Sequence, residues 1–398
     1  MRDLLYVTLG GILALAIAMG IGRFAYTPIF PLMQVAQHFS EAAAGCLAAS
    51  NYLGYLVGAL SASAIQWTWN LRLIFRVSLV INILSTGAMA ATTSLTLWSI
   101  FRFISGLTSG VVFVLASSMT LDFLASRKKS TWSGVFYSGV GIGIVISGLL
   151  VPIFDRLYGW RGTWLGLMCL CFALSVAPLV WTRGSTESDA SSSKLDDRST
   201  NRNSNFFYWL LASYGMEGLG YIVVGTFLVD ISLSMPATRE VSSLSWVIAG
   251  IGAIPSTLFW AWLGKRYGNL KALIYAYLLQ AVGIVIPVIK SNVIGILVAA
   301  FLFGGTFMGI TTLAASLARN VYNRSNRAIG YLTTCYGIGQ IVGPVPGALL
   351  EEQTHSYAMS LVGAAIVILL GAVLLVAGRY FSLSKIVRVG QGGESHVE

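Results

Sequence analysis

Charge is scarce in this chain. Only 10% of its 398 residues are Asp, Glu, Lys or Arg, against 56% hydrophobic residues and a mean hydropathy of +0.76. A soluble domain of this length needs far more charge to cover its surface, so the composition excludes an ordinary soluble fold. Histidine is scarcer still. His38, His355 and His396 all fall in loops or the C-terminal stretch, which leaves no buried histidine relay. The four cysteines (Cys46, Cys169, Cys171 and Cys335) lie in apolar runs without a C-x-x-C pair, so neither a disulfide framework nor a zinc site is indicated. Phosphate-binding loops, H-x-x-x-H pairs and nucleophile elbows are missing too. ATP-driven transport and hydrolysis have no machinery here, and no enzyme activity, metal or cofactor is expected.

What the chain has instead is apolar length. Runs near 4–33, 42–65, 73–93, 96–122, 131–154, 161–181, 206–231, 241–263, 272–289, 292–318, 327–350 and 357–381 are each long enough to cross a hydrocarbon core of about 30 Å as a helix. The expected fold is therefore an all-α integral membrane protein of twelve transmembrane helices. Its 43 glycines fit that class, because small residues let helix backbones approach closely. The net charge of +10 follows topology. With the N-terminus placed inside, 19 Lys and Arg fall in cytoplasmic segments, four outside and two (Arg23 and Arg102) within spans. The positive-inside rule then puts both termini in the cytoplasm of a bacterial-type inner membrane. The basic balance reports orientation in a lipid bilayer and calls for no nucleic-acid partner. The first run continues past the length of a signal-peptide core and meets Arg23 where cleavage would fall, so it reads as a retained span.

One segment breaks the pattern. Residues 182–205 are rich in Ser, Asp, Asn and Arg with no apolar period, and read as a flexible cytoplasmic linker. It separates an N-terminal six-helix bundle, 1–181, from a C-terminal one, 206–381, with a cytoplasmic tail at 382–398. The halves echo each other. Gly20-Ile-Gly22 matches Gly218-Leu-Gly220 at an offset of 198, Gly141-Ile-Gly143 matches Gly337-Ile-Gly339 at 196, and Gly54 falls on Gly250 at 196. Six spans per half give the repeats one orientation, related by an axis along the membrane normal, with a site between them near the midplane.

Three ionisable residues lie deep in spans, where an ionised side chain costs about 2.5–3.5 kcal/mol. Glu217 lies roughly 16 Å into span 7. Tyr214 and Tyr221, at i−3 and i+4, share its helical face. A carboxylate there needs a partner, water or a bound proton, which makes Glu217 the candidate proton-coupling group; a structural acid bonded to its tyrosines is the plainer alternative. Arg23 and Arg102 both lie in the outer half of the membrane and in the first half of the chain. An Arg fork suits a carboxylate or phosphate, so the two form a candidate anion site, unless Arg102 only braces helices 1 and 4. Further cavity candidates are Tyr26, Asn51, Tyr55, Tyr137 and Trp246, with Thr333, Tyr336 and Gln340 spaced along one face of span 11. Asp122 and Asp230 end their spans near Arg127 and Arg239, where end pairing or solvation accounts for them.

The Arg102-x-x-x-Gly106-x-x-x-Gly110 run and the glycine-rich fifth span resemble motifs of the major facilitator superfamily, and the resemblance covers essentially the whole chain. Gly20–Met33 (GIGRFAYTPIFPLM) with Glu217-Gly-Leu-Gly-Tyr221 is similar to its YbfB/YjiJ subgroup. The sequence departs from the superfamily in its loops: Gln66–Arg72 has no Asp, and Lys265 stands where the second loop has an acid. Asp122 with Arg72 or Arg76 is then the candidate gating pair. The resemblance implies two six-helix bundles rocking about a midplane site. The expected function is a secondary transporter, monomeric, moving a small organic solute, favoured as an anion, with protons through Glu217. A proton-driven efflux antiporter for amphipathic compounds is the alternative, and a non-transporting sensor or scaffold the more distant one.

Overall fold

The computed structural model describes residues 2–64, 70–129, 132–181, 204–322 and 325–392; nearly all of the expected linker lies outside them. The described residues are helical. In chain order the α-helices are α1 (Arg2–Leu15), α2 (Tyr26–Gln37), α3 (Glu41–Ala64), α4 (Leu71–Ala88), α5 (Leu95–Ser126), α6 (Ser133–Trp181), α7 (Ser204–Ser234), α8 (Ser242–Tyr267), α9 (Asn269–Ile289), α10 (Val293–Val321), α11 (Ser325–Val342), α12 (Pro344–Thr354) and α13 (Ala358–Gly392). Among the described residues, ten helical segments are long and apolar enough to cross a bilayer. Leu53, Val57, Leu60 and Val373 are among many large apolar side chains left on the outside, as a lipid-facing surface requires.

The expected spans 5 and 6 run together as α6. A straight helix of its 49 residues would be about 74 Å long, more than two hydrocarbon thicknesses. It turns at Gly159, whose φ of 66° and ψ of −177° only glycine adopts without strain. Beyond the turn the chain doubles back, since a Cβ on Gly166 would strike the Phe154 ring. The expected span 11 is broken at Gly343 into α11 and α12, with Pro344 opening the second piece. The last helix continues past the expected boundary at 381 to Gly392. His38 and His355 each end a helix in left-handed conformation, in loops as expected.

Tight helix crossings explain much of the glycine content, and they repeat. A Cβ on Gly54 of α3 would strike the Phe103 carbonyl oxygen of α5; one on Gly252 of α8 would strike the Phe301 carbonyl oxygen of α10. Both residues of that contact shift by 198. Likewise Gly143 packs on Gly20, and Gly339 on Gly218. Gly250 instead faces α6 at Val145, so the structural equivalent of Gly54 is Gly252.

Candidate functional site

The site begins with a broken helix. Between α1 and α2 the chain forms a π-helical segment, Ala16–Ile21, closed by Gly22 N–H donating to the Ile17 carbonyl at 2.8 Å. Thr27 N–H then bonds Phe24 rather than Arg23, and Pro28 has no N–H to offer. The Gly22 and Arg23 carbonyls are left without their helical partners. Side chains of α5 take them up. Arg102 donates Nη1 to the Gly22 carbonyl (3.4 Å) and Nη2 to the Arg23 carbonyl (3.2 Å), and Ser105 Oγ donates to Gly22 at 2.9 Å. The guanidinium lies 4.5 Å from the centre of the Tyr26 ring, and Asn51 Nδ2 donates to the Arg102 carbonyl at 2.9 Å. Arg102 thus braces helices, while its Nε stays unpartnered.

Arg23 is held differently. It is 3% exposed, and its Nε and Nη2 have no hydrogen-bond partner. Its guanidinium sits over the rings of Tyr55 (4.1 Å to the centroid), Tyr52 (5.0 Å) and Phe24 (5.2 Å). Aromatic faces stabilise a cation but leave its N–H groups unsatisfied. Sequence reading found Arg23, Arg102, Tyr26, Asn51 and Tyr55, and the structure brings them together. Tyr52 escaped it. So did Thr27, which joins the halves of the chain by donating Oγ1 to the Gly225 carbonyl at 2.6 Å.

Glu217 occupies the facing half. It is fully buried, and neither carboxyl oxygen accepts a well-formed hydrogen bond. Gln280 of α9 and Tyr336 of α11 lie beside it, with Tyr214, Tyr221 and Tyr277 close enough to feel its charge. Both polar atoms of the Gln280 amide are also unpartnered. Tyr214 stacks on Tyr336 at 4.4 Å, Tyr336 on Tyr221 at 5.4 Å, and Tyr221 on Phe307 at 6.1 Å; Phe24 meets Phe307 edge-on from the first half. Gln340 Nε2 donates to the Tyr221 hydroxyl. Gln280 was missed because span 9 carries no charge; its signal was a lone amide in an apolar run, Tyr277-Leu-Leu-Gln280-Ala.

Tyr137 packs with Phe136 and Phe113, and Phe113 packs on Tyr55, so Tyr137 borders the Arg23 enclosure. Other candidates lie elsewhere. Trp246 is fully buried and donates Nε1 to Ser147 Oγ at 3.2 Å, tying α8 to α6. Thr333 is half-buried on α11. Asp122 is exposed and accepts from Ser118 at 3.2 Å, while Arg72 and Arg76 are half-buried near the start of α4. A groove lined by Asn70, Leu73, Ile74, Val77 and Ser78 lies on α4, and neither Arg23 nor Glu217 lines it.

The end of the molecule carrying His38 and His355 is fastened across the halves. Tyr357 approaches Asp230 Oδ2 at 2.7 Å and Glu41 Oε2 at 3.0 Å. The Ala42 N–H donates to Glu352 Oε1 at 3.1 Å, and Gln34 Nε2 donates to Glu41 Oε1 at 2.7 Å. Tyr52 and Thr226 share a 2.9 Å hydrogen bond. Asp230 therefore meets Tyr357, while Arg239 Nε donates to the Leu233 carbonyl at 3.3 Å.

The comparisons with known proteins agree with this architecture. The profile of the family described as uncharacterised MFS-type transporter YbfB matches residues 15–376. The chain is similar to the sialic acid transporter NanX of Escherichia coli K12, 24% identical over 322 residues, covering 75% of this chain and 76% of that one. It is similar to the gentisate transporter of Corynebacterium glutamicum, 23% identical over 328 residues, covering 79% and 74%. The crystal structure of the nucleoside transporter NupG superposes with a TM-score of 0.70 at 14% identity, covering 95% of this chain and 99% of that chain.

Proposed function

The chain belongs to the family of MFS-type transporters represented by YbfB, a multi-pass membrane transporter and not an enzyme, and from that premise we propose that it carries a small organic anion by proton-coupled alternating access. The observation that carries the anion reading is Arg23. A buried guanidinium with two unpartnered nitrogens and an aromatic enclosure is a costly arrangement, and an anionic ligand would relieve it. Arg102 adds a second positive charge and holds the backbone of Arg23 in place. The names of two relatives, for sialic acid and for gentisate, are in accord with an acidic solute.

Glu217 supplies the coupling in this reading. It is the carboxylate of the buried core, facing Gln280 and the tyrosine stack that leads toward Arg23. Two bundles, 1–181 and 206–381, rock about this shared site in a bacterial inner membrane with both termini cytoplasmic. The Tyr357 fastening then lies on the outer side. The state described is closed there.

Binding to purified full-length protein tests the anion assignment, using carboxylates such as benzoate against benzylamine and benzyl alcohol. Carboxylates should bind, and Arg23→Ala should abolish that binding. A preference for the amine, or normal carboxylate binding by Arg23→Ala, overturns the assignment.

A further inference from the structure

Among the described side chains, buried polar atoms without partners occur in both halves, Asn51 Oδ1, Asn82 Oδ1 and both polar atoms of the Gln280 amide among them, and those of Arg23, Arg102 and Gln340 stand out. In the first half, Arg23 and Arg102 leave N–H donors, Nε and Nη2 of the former and Nε of the latter. In the second, Gln340 leaves an acceptor, Oε1, on a residue 1% exposed. Its amide is oriented by Tyr221, to whose hydroxyl Nε2 donates. With the nitrogen so engaged, the atom of this amide left with no partner at all is its carbonyl oxygen, an acceptor.

Gln340 also stands at the seam between the halves. One turn earlier on α11, Gly337 packs against Leu56 of α3, the helix whose Tyr52 and Tyr55 enclose Arg23. Tyr221, bonded to Gln340, is a charge neighbour of Arg23. A ligand on Arg23 would therefore have the Gln340–Tyr221 pair as its opposite wall. The Gln340 oxygen requires a donor, and the Arg23 guanidinium near Tyr221 disfavours a cationic one. A neutral hydroxyl meets both conditions.

We infer that Gln340 is a specificity residue that accepts a hydrogen bond from a hydroxyl group of the substrate, so that the transported anion is a hydroxylated carboxylate spanning the two halves. This rests on the Arg23 anion reading and narrows it. A substrate without the hydroxyl would leave the Gln340 oxygen buried and unsatisfied, which a site of this kind penalises by about tenfold or more in affinity.

The test measures binding to the purified full-length protein for matched pairs: benzoate against its three monohydroxy isomers, and propionate against lactate. At least one hydroxylated member should bind at least about tenfold tighter than its parent. Gln340→Leu should remove that preference by weakening only the hydroxylated member. Tyr221→Phe, which frees the amide to rotate, should reduce it. If wild-type protein binds both members of every pair equally or binds none of them, while Arg23→Ala still abolishes binding of other carboxylates, the hydroxyl assignment is overturned and the anion reading stands. If Arg23→Ala binds carboxylates as wild type does, both fall. The comparison of ligands on wild-type protein decides the matter even where a variant fails to fold.

Discussion

Tyr357 and Asp230 meet at 2.7 Å, and the same phenol lies 3.0 Å from Glu41, in the other half of the chain. A phenol has one proton to donate and here it has two carboxyl neighbours. Burial, then the charges of Asp230 and Glu41, push the Tyr357 phenol well above its usual range, so it keeps that proton. Both contacts are hydrogen bonds only while one of the carboxyls is itself protonated. Glu351 and Glu352 crowd the same end with further negative charge; His355, beside Glu351, is the cationic group that offsets it when protonated.

The closed arrangement therefore binds one proton more than an arrangement in which Glu41 has separated from Tyr357. By linkage, raising the pH favours separation. Spin labels on Val35 and Ala237, in a background lacking the native cysteines, should report a short distance at about pH 5 and a growing long-distance population toward about pH 9. Tyr357→Phe should lengthen the distance at every pH. Asp230→Asn, which supplies a donor without a proton from solvent, should hold the short distance throughout. A distance distribution that ignores pH in wild type removes the argument.

The two buried arginines should respond oppositely to truncation. Arg102→Ala strands the Arg23 carbonyl, while the Gly22 carbonyl keeps Ser105, at a cost of about 1–3 kcal/mol for the buried group, and should lower the thermal unfolding midpoint. Arg23→Ala removes a buried charge that is held by aromatic faces but has two nitrogens without hydrogen bonds, and should leave unliganded stability unchanged or raised, while losing binding. Thermal unfolding of the two variants without ligand checks this. A destabilised Arg23→Ala protein would mark Arg23 as structural.

Orientation is testable apart from any substrate. Reporter fusions after Leu195 and after Lys385 should signal the cytoplasm, and one after Ala237 the outside. A periplasmic signal at Leu195 would invert the assignment of the Tyr357 fastening to the outer side.

The fold was largely legible, because apolar length and charge placement are what a bilayer constrains most directly. Individual pairings were less so. Gly54 matched Gly250 in the string, but the helix contact belongs to Gly252, since a glycine-rich chain offers several nearby partners and only packing selects one. Arg23, Arg102 and Glu217 stood out as charges in apolar runs. Tyr52 is neutral and its local sequence does not set it apart, and Gln280 shows only as a lone amide in an apolar run. Asp230 was associated with Arg239 by proximity in sequence, yet its hydrogen bond comes from Tyr357, 127 residues away. The brace from Arg102 to the broken first helix depends on carbonyls freed at Gly22 and Arg23, just after a π-helical segment that no sequence pattern announces.

The last expectation concerns Glu217. Coupling requires a group whose proton affinity differs between the two access states. Glu217 fits because its surroundings reach the seam that rocking would open: Gln280 on α9 and Tyr336 on α11 belong to its own half, but the neighbouring Tyr221 sees Arg23 across the seam. An unpartnered buried carboxylate is tolerated as its neutral acid, and admitting water or an approaching cation would release the proton. Glu217→Gln keeps the shape and fixes the site in a neutral form. In proteoliposomes this variant should exchange substrate at equal pH on both sides, yet fail to accumulate it against a gradient when a pH difference is imposed. Wild type should accumulate substrate and change the lumenal pH as it does so. Accumulation by the variant would make Glu217 a structural acid. A wild-type protein indifferent to the pH gradient would separate transport from protons altogether, and the buried carboxyl–amide pair of Glu217 and Gln280 would then be a packing element of the second half.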